Sequence, residues 1–154
     1  MDIAEAEHLH IVEGCSDIVT KISKEWGTEY ILPTSPDYTV KYMSICPGAA
    51  CSLHFHRNKH ETFTLFQGEL WIIYYTKEGD KKFIKLTKAL DAFVIPPCTP
   101  HAFMVPTYQE FDTLFIESST ADSPDDSYRL SRSTSNVTND SSDWGLYLRR
   151  DLSR

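Results

Sequence analysis

The sequence has neither a long hydrophobic run nor an excess of positive charge. Its longest apolar run is Leu70 to Tyr75, far below the ~20 apolar residues that a membrane-spanning helix needs. The net charge is −7, whereas a nucleic-acid partner requires clustered lysine and arginine side chains. Residues 1–13 lack the basic and then apolar pattern of a secretory signal. We therefore expect a cytoplasmic protein with no membrane and no nucleic-acid partner.

Cysteine, glycine and proline are also scarce. The four cysteines form no Cys-x-x-Cys pair, which disfavours a zinc ribbon and a redox dithiol. Without a secretory signal a disulfide framework is disfavoured as well, so we expect reduced thiols. Six glycines and eight prolines are too few for collagen or for low complexity along the whole chain.

Short β-rich runs fill the middle of the chain. Aromatic residues make up 12% of the sequence, which favours strands. Turn signals such as Pro47-Gly48 and Glu78-Gly79-Asp80 separate the runs, a pattern typical of an antiparallel sandwich or barrel. The predicted strands are Thr28–Leu32, Tyr38–Cys46, Thr62–Phe66, Leu70–Thr76, Lys82–Leu86, Ala92–Ile95, His101–Val105 and Asp112–Glu117.

The 154 residues predict one domain with an extension at each end. Residues 1–26 carry apolar residues at helical spacing and are interpreted as a short helix or arm. Residues 27–119 form the β domain, and residues 120–154 form a C-terminal extension. Seventeen of the 26 residues from 118 to 143 are Ser, Thr or Asp. Such a segment has little apolar surface to offset its ordering entropy, which predicts a loop or extended arm.

Two histidines carry the main chemical signal. His54 and His56 are two residues apart, so on a strand both side chains point to one face, and two adjacent imidazoles supply half of a metal site. In the next predicted strand the apolar Phe63 should point into the core. Glu61 lies two residues before it and should also point inward, whereas His60 should point outward. A buried carboxylate is costly without a cation beside it, and a bound metal ion would supply that cation.

A fourth ligand must come from another strand. His101 follows a proline-rich turn and opens an apolar run, which makes it the best candidate. His8 and His10 repeat the His-x-His spacing but lie in a polar segment without an inward carboxylate, so they are disfavoured. A single strand histidine is more often a hydrogen-bonded core or surface residue than a ligand. The pair followed by an inward Glu is harder to explain in that way.

The spacing of these residues resembles the first motif of the cupin family. That motif consists of a glycine, a His-x-His pair, a glutamate and a second glycine. The matching residues are Gly48, His54, His56, Glu61 and Gly68.

The second cupin motif is matched in part. Pro96 and His101 agree with it, whereas Leu90, Cys98 and Val105 replace two glycines and an asparagine. The resemblance implies a cupin jelly-roll β-sandwich or barrel and a homodimer. It also implies one divalent metal ion (Mn, Fe, Zn, Co or Ni) bound by His54, His56, Glu61 and His101.

A narrower resemblance links the motif to cupin-type sugar isomerases, of the D-lyxose isomerase and mannose-6-phosphate isomerase kinds. It includes Lys59, two residues before Glu61. The resemblance implies a metal-dependent aldose–ketose isomerase for a sugar or sugar phosphate, with Lys59 and Glu117 as an acid–base pair. Lys59 is the first candidate base, because a buried lysine near a metal has a lowered pKa. Alternatively, Lys59 is solvated and Glu117 is a strand-end residue that reaches water.

Three further residues are weaker candidates for substrate binding. Arg129 could bind a sugar hydroxyl or phosphate group, although a local salt bridge explains it as well. Tyr42 and Phe103 could stack on a sugar, although aromatic residues in strands more often pack in a core. Two other functions remain open, namely an Fe(II)-dependent dioxygenase of small molecules and a non-catalytic cupin that only binds a sugar or a metal.

Overall fold

The computed structural model describes residues 19–133, and these residues form two antiparallel sheets. The strands are β1 (Thr20–Lys24), β2 (Gly27–Ile31), β3 (Tyr38–Ile45), β4 (His54–Phe55), β5 (Glu61–Gln67), β6 (Leu70–Tyr75), β7 (Lys81–Leu86), β8 (Ala92–Ile95), β9 (His101–Met104), β10 (Thr113–Thr120) and β11 (Tyr128–Arg129). The first sheet has the strand order β1-β2-β3-β10-β5-β8, and the second has the order β11-β4-β9-β6-β7. This arrangement confirms the predicted β-sandwich.

All eight of the strands predicted from the sequence are present, with ends that differ by at most three residues. The strand β1 was not predicted. It pairs with β2 along its whole length, so the first sheet begins at Thr20 and not at Gly27. A helical interpretation of residues 20–24 is therefore wrong, because their backbone hydrogen bonds go to a neighbouring strand. Residues 1–18 of the predicted arm lie outside the described residues.

The start of the C-terminal extension is fastened to the second sheet. After β10 the chain makes a 3-10 turn at Pro124–Asp126 and then forms β11 against β4. The backbone N–H of Leu130 donates to the carbonyl oxygen of Leu53 at 2.7 Å, and the N–H of Leu53 donates to the hydroxyl of Ser131 at 2.8 Å. Hydrogen bonds thus order a segment that has little apolar surface to bury. Residues 134–154 lie outside the described residues.

The core lies between the two sheets and follows the period-two pattern of the strands. Every second side chain is buried along β3 and along the first five residues of β5. Fully buried aliphatic and aromatic side chains come from both sheets and include Ile45, Phe63, Leu65, Ile72 and Phe115. In the described part of the chain no helix is long and apolar enough to cross a membrane.

Two positions of the second cupin motif keep a glycine-like backbone without glycine. Leu90 has a φ of 71° and Cys98 has a φ of 60°, in the left-handed region that costs a side-chain-bearing residue about 1–2 kcal/mol. The N–H of Cys98 donates to the carbonyl oxygen of His56 at 2.6 Å. The turn before His101 therefore keeps its contact with the first motif despite both replacements.

Gly27 offers a test of how closely β2 and β3 pack. Its φ is 146°, and a Cβ atom there would lie 2.1 Å from the carbonyl oxygen of Ser44. We expect Gly27→Ala to lower the free energy of unfolding by about 3 kcal/mol or more, because backbone strain and a backbone clash add together. Gly79→Ala is the control, since Gly79 has a φ of 86° and open space around it. The free energy of unfolding of that variant should fall by only about 1–2 kcal/mol. Equal losses in chemical denaturation would contradict the clash.

Candidate metal centre

Three histidine side chains converge between the sheets. His54 lies on β4 directly opposite His101 on β9, and His56 follows β4. One ring nitrogen from each residue lies within 4.8 Å of the other two. The His54 ring centroid is 4.5 Å from that of His101 and 5.1 Å from that of His56. The i, i+2 spacing therefore places His54 and His56 together, as expected, and the pairing of β4 with β9 adds His101.

Backbone carbonyl groups fix the orientation of all three rings. Each ring donates its Nδ1 proton to a carbonyl oxygen at 2.6–2.9 Å: His54 to Ser52, His56 to Asp126 and His101 to Thr99. A carbonyl oxygen only accepts, so in the neutral form of each ring the lone pair is on Nε2, which is the arrangement of metal-binding histidines. Burial, followed by the neighbouring His101, lowers the pKa of His54 to about 3, which keeps that ring neutral.

The Glu61 carboxylate lies beside two of these rings. Its Oε2 atom is 3.2 Å from Nε2 of His101, and its Oε1 atom is 3.6 Å from Nε2 of His56. Glu61 Oε2 and His101 Nε2 are both buried without a hydrogen-bond partner, which is costly for polar atoms. A divalent ion between them would satisfy both atoms. Three imidazole rings and one carboxylate therefore fit a divalent metal such as Mn.

The side chains around Glu61 point in the predicted directions. Glu61 is 2% exposed and Lys59 is 4% exposed, whereas His60 is exposed to solvent. The outward direction of His60 removes it from the ligand set. His8 and His10 lie outside the described residues.

Lys59 is buried between two carboxylates. Its Nζ atom is 2.9 Å from Oε1 of Glu61 and 2.5 Å from Oε1 of Glu117. Burial lowers the pKa of Lys59, but Glu117 and Glu61 outweigh burial and hold this pKa above its usual value. The sequence analysis expected burial and a nearby metal ion to lower the pKa of this lysine; the carboxylates of Glu117 and Glu61 act in the opposite direction. Burial raises the pKa of Glu61, but His101 and Lys59 outweigh it and hold that pKa well below its usual range.

Glu117 is also buried, at 6% exposure, so it does not reach water as a strand-end residue. Its cross-strand neighbour on β3 is Lys41, which the sequence analysis missed. Lys41 Nζ is 2.7 Å from Oδ2 of Asp122 and 3.6 Å from Oε1 of Glu117. The alternation of side chains along β3 could have revealed it, since Lys41 lies on the inward face of this strand between buried side chains.

Asp126 is the second residue that the sequence analysis missed. Its carboxylate accepts the backbone N–H groups of Arg57, Asn58 and Lys59 at 2.8, 2.9 and 3.1 Å. Desolvation raises the pKa of Asp126, but these three donors outweigh it and lower the pKa. Asp126 thereby fixes the segment between His56 and Glu61. An aspartate in an acidic, Ser-rich stretch gives no sign of this role.

The weaker candidates divide between three places. Phe103 is 3% exposed and packs edge-on against Trp26 and Phe115, so it is a core residue and not a sugar platform. Tyr42 points away from the core and lines a concavity of about 420 Å³ on the outer face of the first sheet. Its predicted place in the site is therefore wrong, because its parity is opposite to that of Lys41.

Arg129 lies at the rim of the centre. It is exposed, and it pairs directly with His54 across β11 and β4. Directly opposite residues of an antiparallel pair share one face of the sheet. The neighbouring pair, Tyr128 and Phe55, stacks with ring centroids 5.0 Å apart.

Comparison with known proteins supports the same architecture. Residues 38–137 match the protein family described as Cupin, and no curated protein matches the chain. Oxalate decarboxylase from Lactobacillus farciminis, solved as a formate complex, superimposes with a TM-score of 0.63 at 21% identity over 75% of this chain and 35% of that chain. Oxalate decarboxylase from Bacillus subtilis superimposes with a TM-score of 0.63 at 20% identity, over 75% of this chain and 31% of that chain.

A third similar structure is CapF, a capsular polysaccharide assembling protein from Staphylococcus aureus. It gives a TM-score of 0.63 at 21% identity, over 74% of this chain and 32% of that chain. The chain thus spans about a third of the length of each of these three structures. At this identity the likeness supports the fold alone.

Removing one ring should weaken metal binding strongly. We expect His56→Ala to weaken Mn²⁺ binding by more than about 100-fold, since loss of a ligand exceeds the 10–100-fold cost of losing a ligand's support. His60→Ala should bind Mn²⁺ as the wild type does, because that side chain is exposed. Calorimetric titration with Mn²⁺ measures both. Wild-type affinity in His56→Ala would refute the ligand set.

The Asp126 contacts predict a supporting role in metal affinity. Asp126→Asn removes one acceptor oxygen from the three N–H donors and should loosen the segment that leads from His56 to Glu61. We expect Mn²⁺ affinity to fall about 10–100-fold. Asp125→Asn is the matched control, since Asp125 is exposed. If both variants bind Mn²⁺ equally well, the carboxylate does not organise the centre.

Proposed function

The chain belongs to the cupin family, and we propose that its metal centre serves a sugar isomerase that interconverts an aldose and a ketose. The observation that carries this proposal is the position of Lys59. Its ammonium group contacts both the candidate metal ligand Glu61 at 2.9 Å and a second carboxylate, Glu117, at 2.5 Å. Two groups that can move protons therefore lie directly beside the ligand set.

Aldose–ketose isomerisation moves one proton between neighbouring carbons and one between the oxygens attached to them. A divalent ion held by the three histidines and Glu61 would act as a Lewis acid that stabilises negative charge on the substrate oxygens. Glu117 is the base in this proposal, since it is the buried carboxylate in contact with Lys59 that is not a metal ligand. It takes the proton from one carbon and returns it to the next.

Lys59 is the acid of the pair. Its contacts with two carboxylates keep it as an ammonium, so it donates a proton or hydrogen bond to a substrate oxygen and does not begin as a base. Burial of both side chains excludes competing water and strengthens their electrostatic interactions. Lys59 was the first candidate base in the sequence analysis, and this proposal gives that role to Glu117 instead.

The approach for substrate lies at the rim beside His54. His54 is the one metal-binding histidine that is half-buried and not buried, and Arg129 faces it across the strand pair. In the proposal Arg129 binds a hydroxyl or phosphate group of the sugar. CapF is described as a capsular polysaccharide assembling protein, which supports carbohydrate chemistry on this fold.

The experiment is solvent deuterium exchange. Chain loaded with Mn²⁺ is incubated in D₂O with a panel of pentoses, hexoses and sugar phosphates, and deuterium at the carbon next to the carbonyl is measured by NMR. We expect incorporation into at least one sugar together with its isomer. Oxygen consumption with Fe²⁺ and no exchange would favour the dioxygenase instead. Turnover of oxalate without exchange would favour decarboxylation, the activity named for two of the similar structures.

Variants at the proton-transfer pair complete the test. Glu117→Gln and Lys59→Met each remove a proton-transfer group while leaving the four ligands in place, so both should bind Mn²⁺. We expect kcat to fall about 10²–10⁴-fold, and kcat/KM to fall with it, because the lost interactions act in the transition state. Glu110→Gln, at an exposed position, is the control. Full rates in both variants would refute the mechanism.

A further inference from the structure

We propose that the side chain of Asp122 occupies a binding site for a carboxylate group of the substrate, formed by the buried ammonium groups of Lys41 and Lys59. The ligand is a small molecule that carries a carboxylate, and Asp122 must turn away when it binds. The inference rests on the proposed function only where it makes this molecule an acidic sugar.

Two lysines and two carboxylates form a closed ring of alternating charge, which we call the charge ring. Nζ of Lys59 is 2.5 Å from Oε1 of Glu117, and that oxygen is 3.6 Å from Nζ of Lys41. Asp122 closes the charge ring, with Oδ2 at 2.7 Å from Lys41 and Oδ1 at 3.4 Å from Lys59. Asp122 thus presents one oxygen to each lysine, as a carboxylate bound between two ammonium groups would.

Asp122 is the member of the charge ring that meets solvent. Its side chain is 33% exposed, whereas the side chains of Lys41 and Lys59 are 10% and 3% exposed and that of Glu117 is 8% exposed. Two buried lysines therefore converge on a single carboxylate that solvent can reach. A carboxylate from solution can compete for the same two ammonium groups.

The side chain of Asp122 can turn away while its backbone stays in place. Asp122 follows the end of β10, and its backbone N–H donates to Oγ1 of Thr39 at 3.1 Å. This bond holds the main chain against β3. A change of side-chain rotamer is then sufficient to remove the carboxylate from the lysines, and exposed side chains change rotamer within nanoseconds.

The charges favour an anion in the place that Asp122 leaves. Lys41 and Lys59 then offset only Glu117 and Glu61, so a divalent ion at the candidate ligand set would leave a positive surplus. A bound carboxylate supplies the same charge as Asp122. An ammonium group has three N–H donors. Glu117 and Glu61 engage two donors of Lys59, which leaves the third for the ligand.

The carboxylate site adjoins the candidate metal ligands through Lys59, which also contacts Glu61 at 2.9 Å. A carboxylate held by both lysines therefore lies beside the ligand set, whereas Arg129 lies beside His54. Within the proposed function, the acidic group of the sugar binds the two lysines and its hydroxyl groups face the metal centre. The substrate class is thus a sugar acid such as a hexuronate.

The first measurement is calorimetric titration of Mn²⁺-loaded chain with acetate. Asp122→Ala should bind acetate at least about 10-fold more tightly than the wild type, because acetate no longer competes with a tethered carboxylate and gains hydrogen bonds to charged groups. Asp125→Ala removes the same charge at an exposed position nearby and should match the wild type. Neutral acetamide should show no gain.

Equal acetate affinity in Asp122→Ala and the wild type would overturn the proposal, since acetate would then bind the ion alone. An equal gain in Asp125→Ala would overturn it as well, because the gain would then reflect net charge and not the site.

The second measurement removes one of the two lysines. Lys41→Met is added to Asp122→Ala, and the gain in acetate affinity should disappear. Lys88→Met in the same background is the control, since Lys88 is an exposed lysine, and it should keep the gain. A gain that survives Lys41→Met contradicts the proposal, because acetate would then bind elsewhere.

Asp122→Asn, which preserves the size of the side chain, replaces Asp122→Ala if that variant does not fold. A crystal structure of the variant grown in acetate gives an independent check. Both carboxylate oxygens should lie within hydrogen-bond distance of the ammonium groups of Lys41 and Lys59. Acetate found only at other positions would refute the site.

These readouts are separate from turnover. In the deuterium-exchange assay a hexuronate should have a higher kcat/KM than the matching neutral hexose. Lys41→Met should raise KM for the hexuronate with little change in kcat, as expected for loss of binding alone. A gain in acetate affinity with no exchange in any sugar would refute the isomerase alone, and exchange without that gain would refute this inference alone.

Discussion

The buried Glu61 carboxylate is the constraint on which the rest of the site depends. A carboxylate at 2% exposure is costly unless a cation or donor lies beside it, and here the ammonium group of Lys59 lies 2.9 Å away. That ammonium also contacts Glu117 on β10, and Lys41 on β3 lies directly opposite Glu117. The second sheet supplies the histidines. The sandwich therefore brings the charge network and the candidate ligand set together.

Asp126 couples this arrangement to a segment that follows the last long strand. Its carboxylate binds three consecutive N–H groups after His56, and its carbonyl oxygen accepts the His56 Nδ1 proton. The contacts join residues about seventy positions apart, with separations of 67 to 70. A polar stretch that contributes little apolar burial thus determines where one ligand and its following segment lie.

Local periodicity explains how much the sequence could predict. The direction of Glu61, Lys59 and His60 follows from the alternation of side chains along a strand, so these assignments needed no tertiary information. The pKa of Lys59 depends on Glu117, which is 58 residues away, and no local pattern reveals that contact. The assignment of Tyr42 to the site was wrong for a simpler reason. Tyr42 lies on the outward face of β3, and an aromatic side chain is compatible with either face.

The charges of the network favour chemistry in which the substrate becomes negative. Lys59 and Lys41 offset two of the three carboxylates of Glu61, Glu117 and Asp122. The raised pKa values of both lysines maintain this balance, with burial opposing and the carboxylates outweighing it. A divalent ion would turn the small negative surplus into a small positive one. Negative charge that develops on substrate oxygens would then be stabilised by the same groups that hold Glu61 in place.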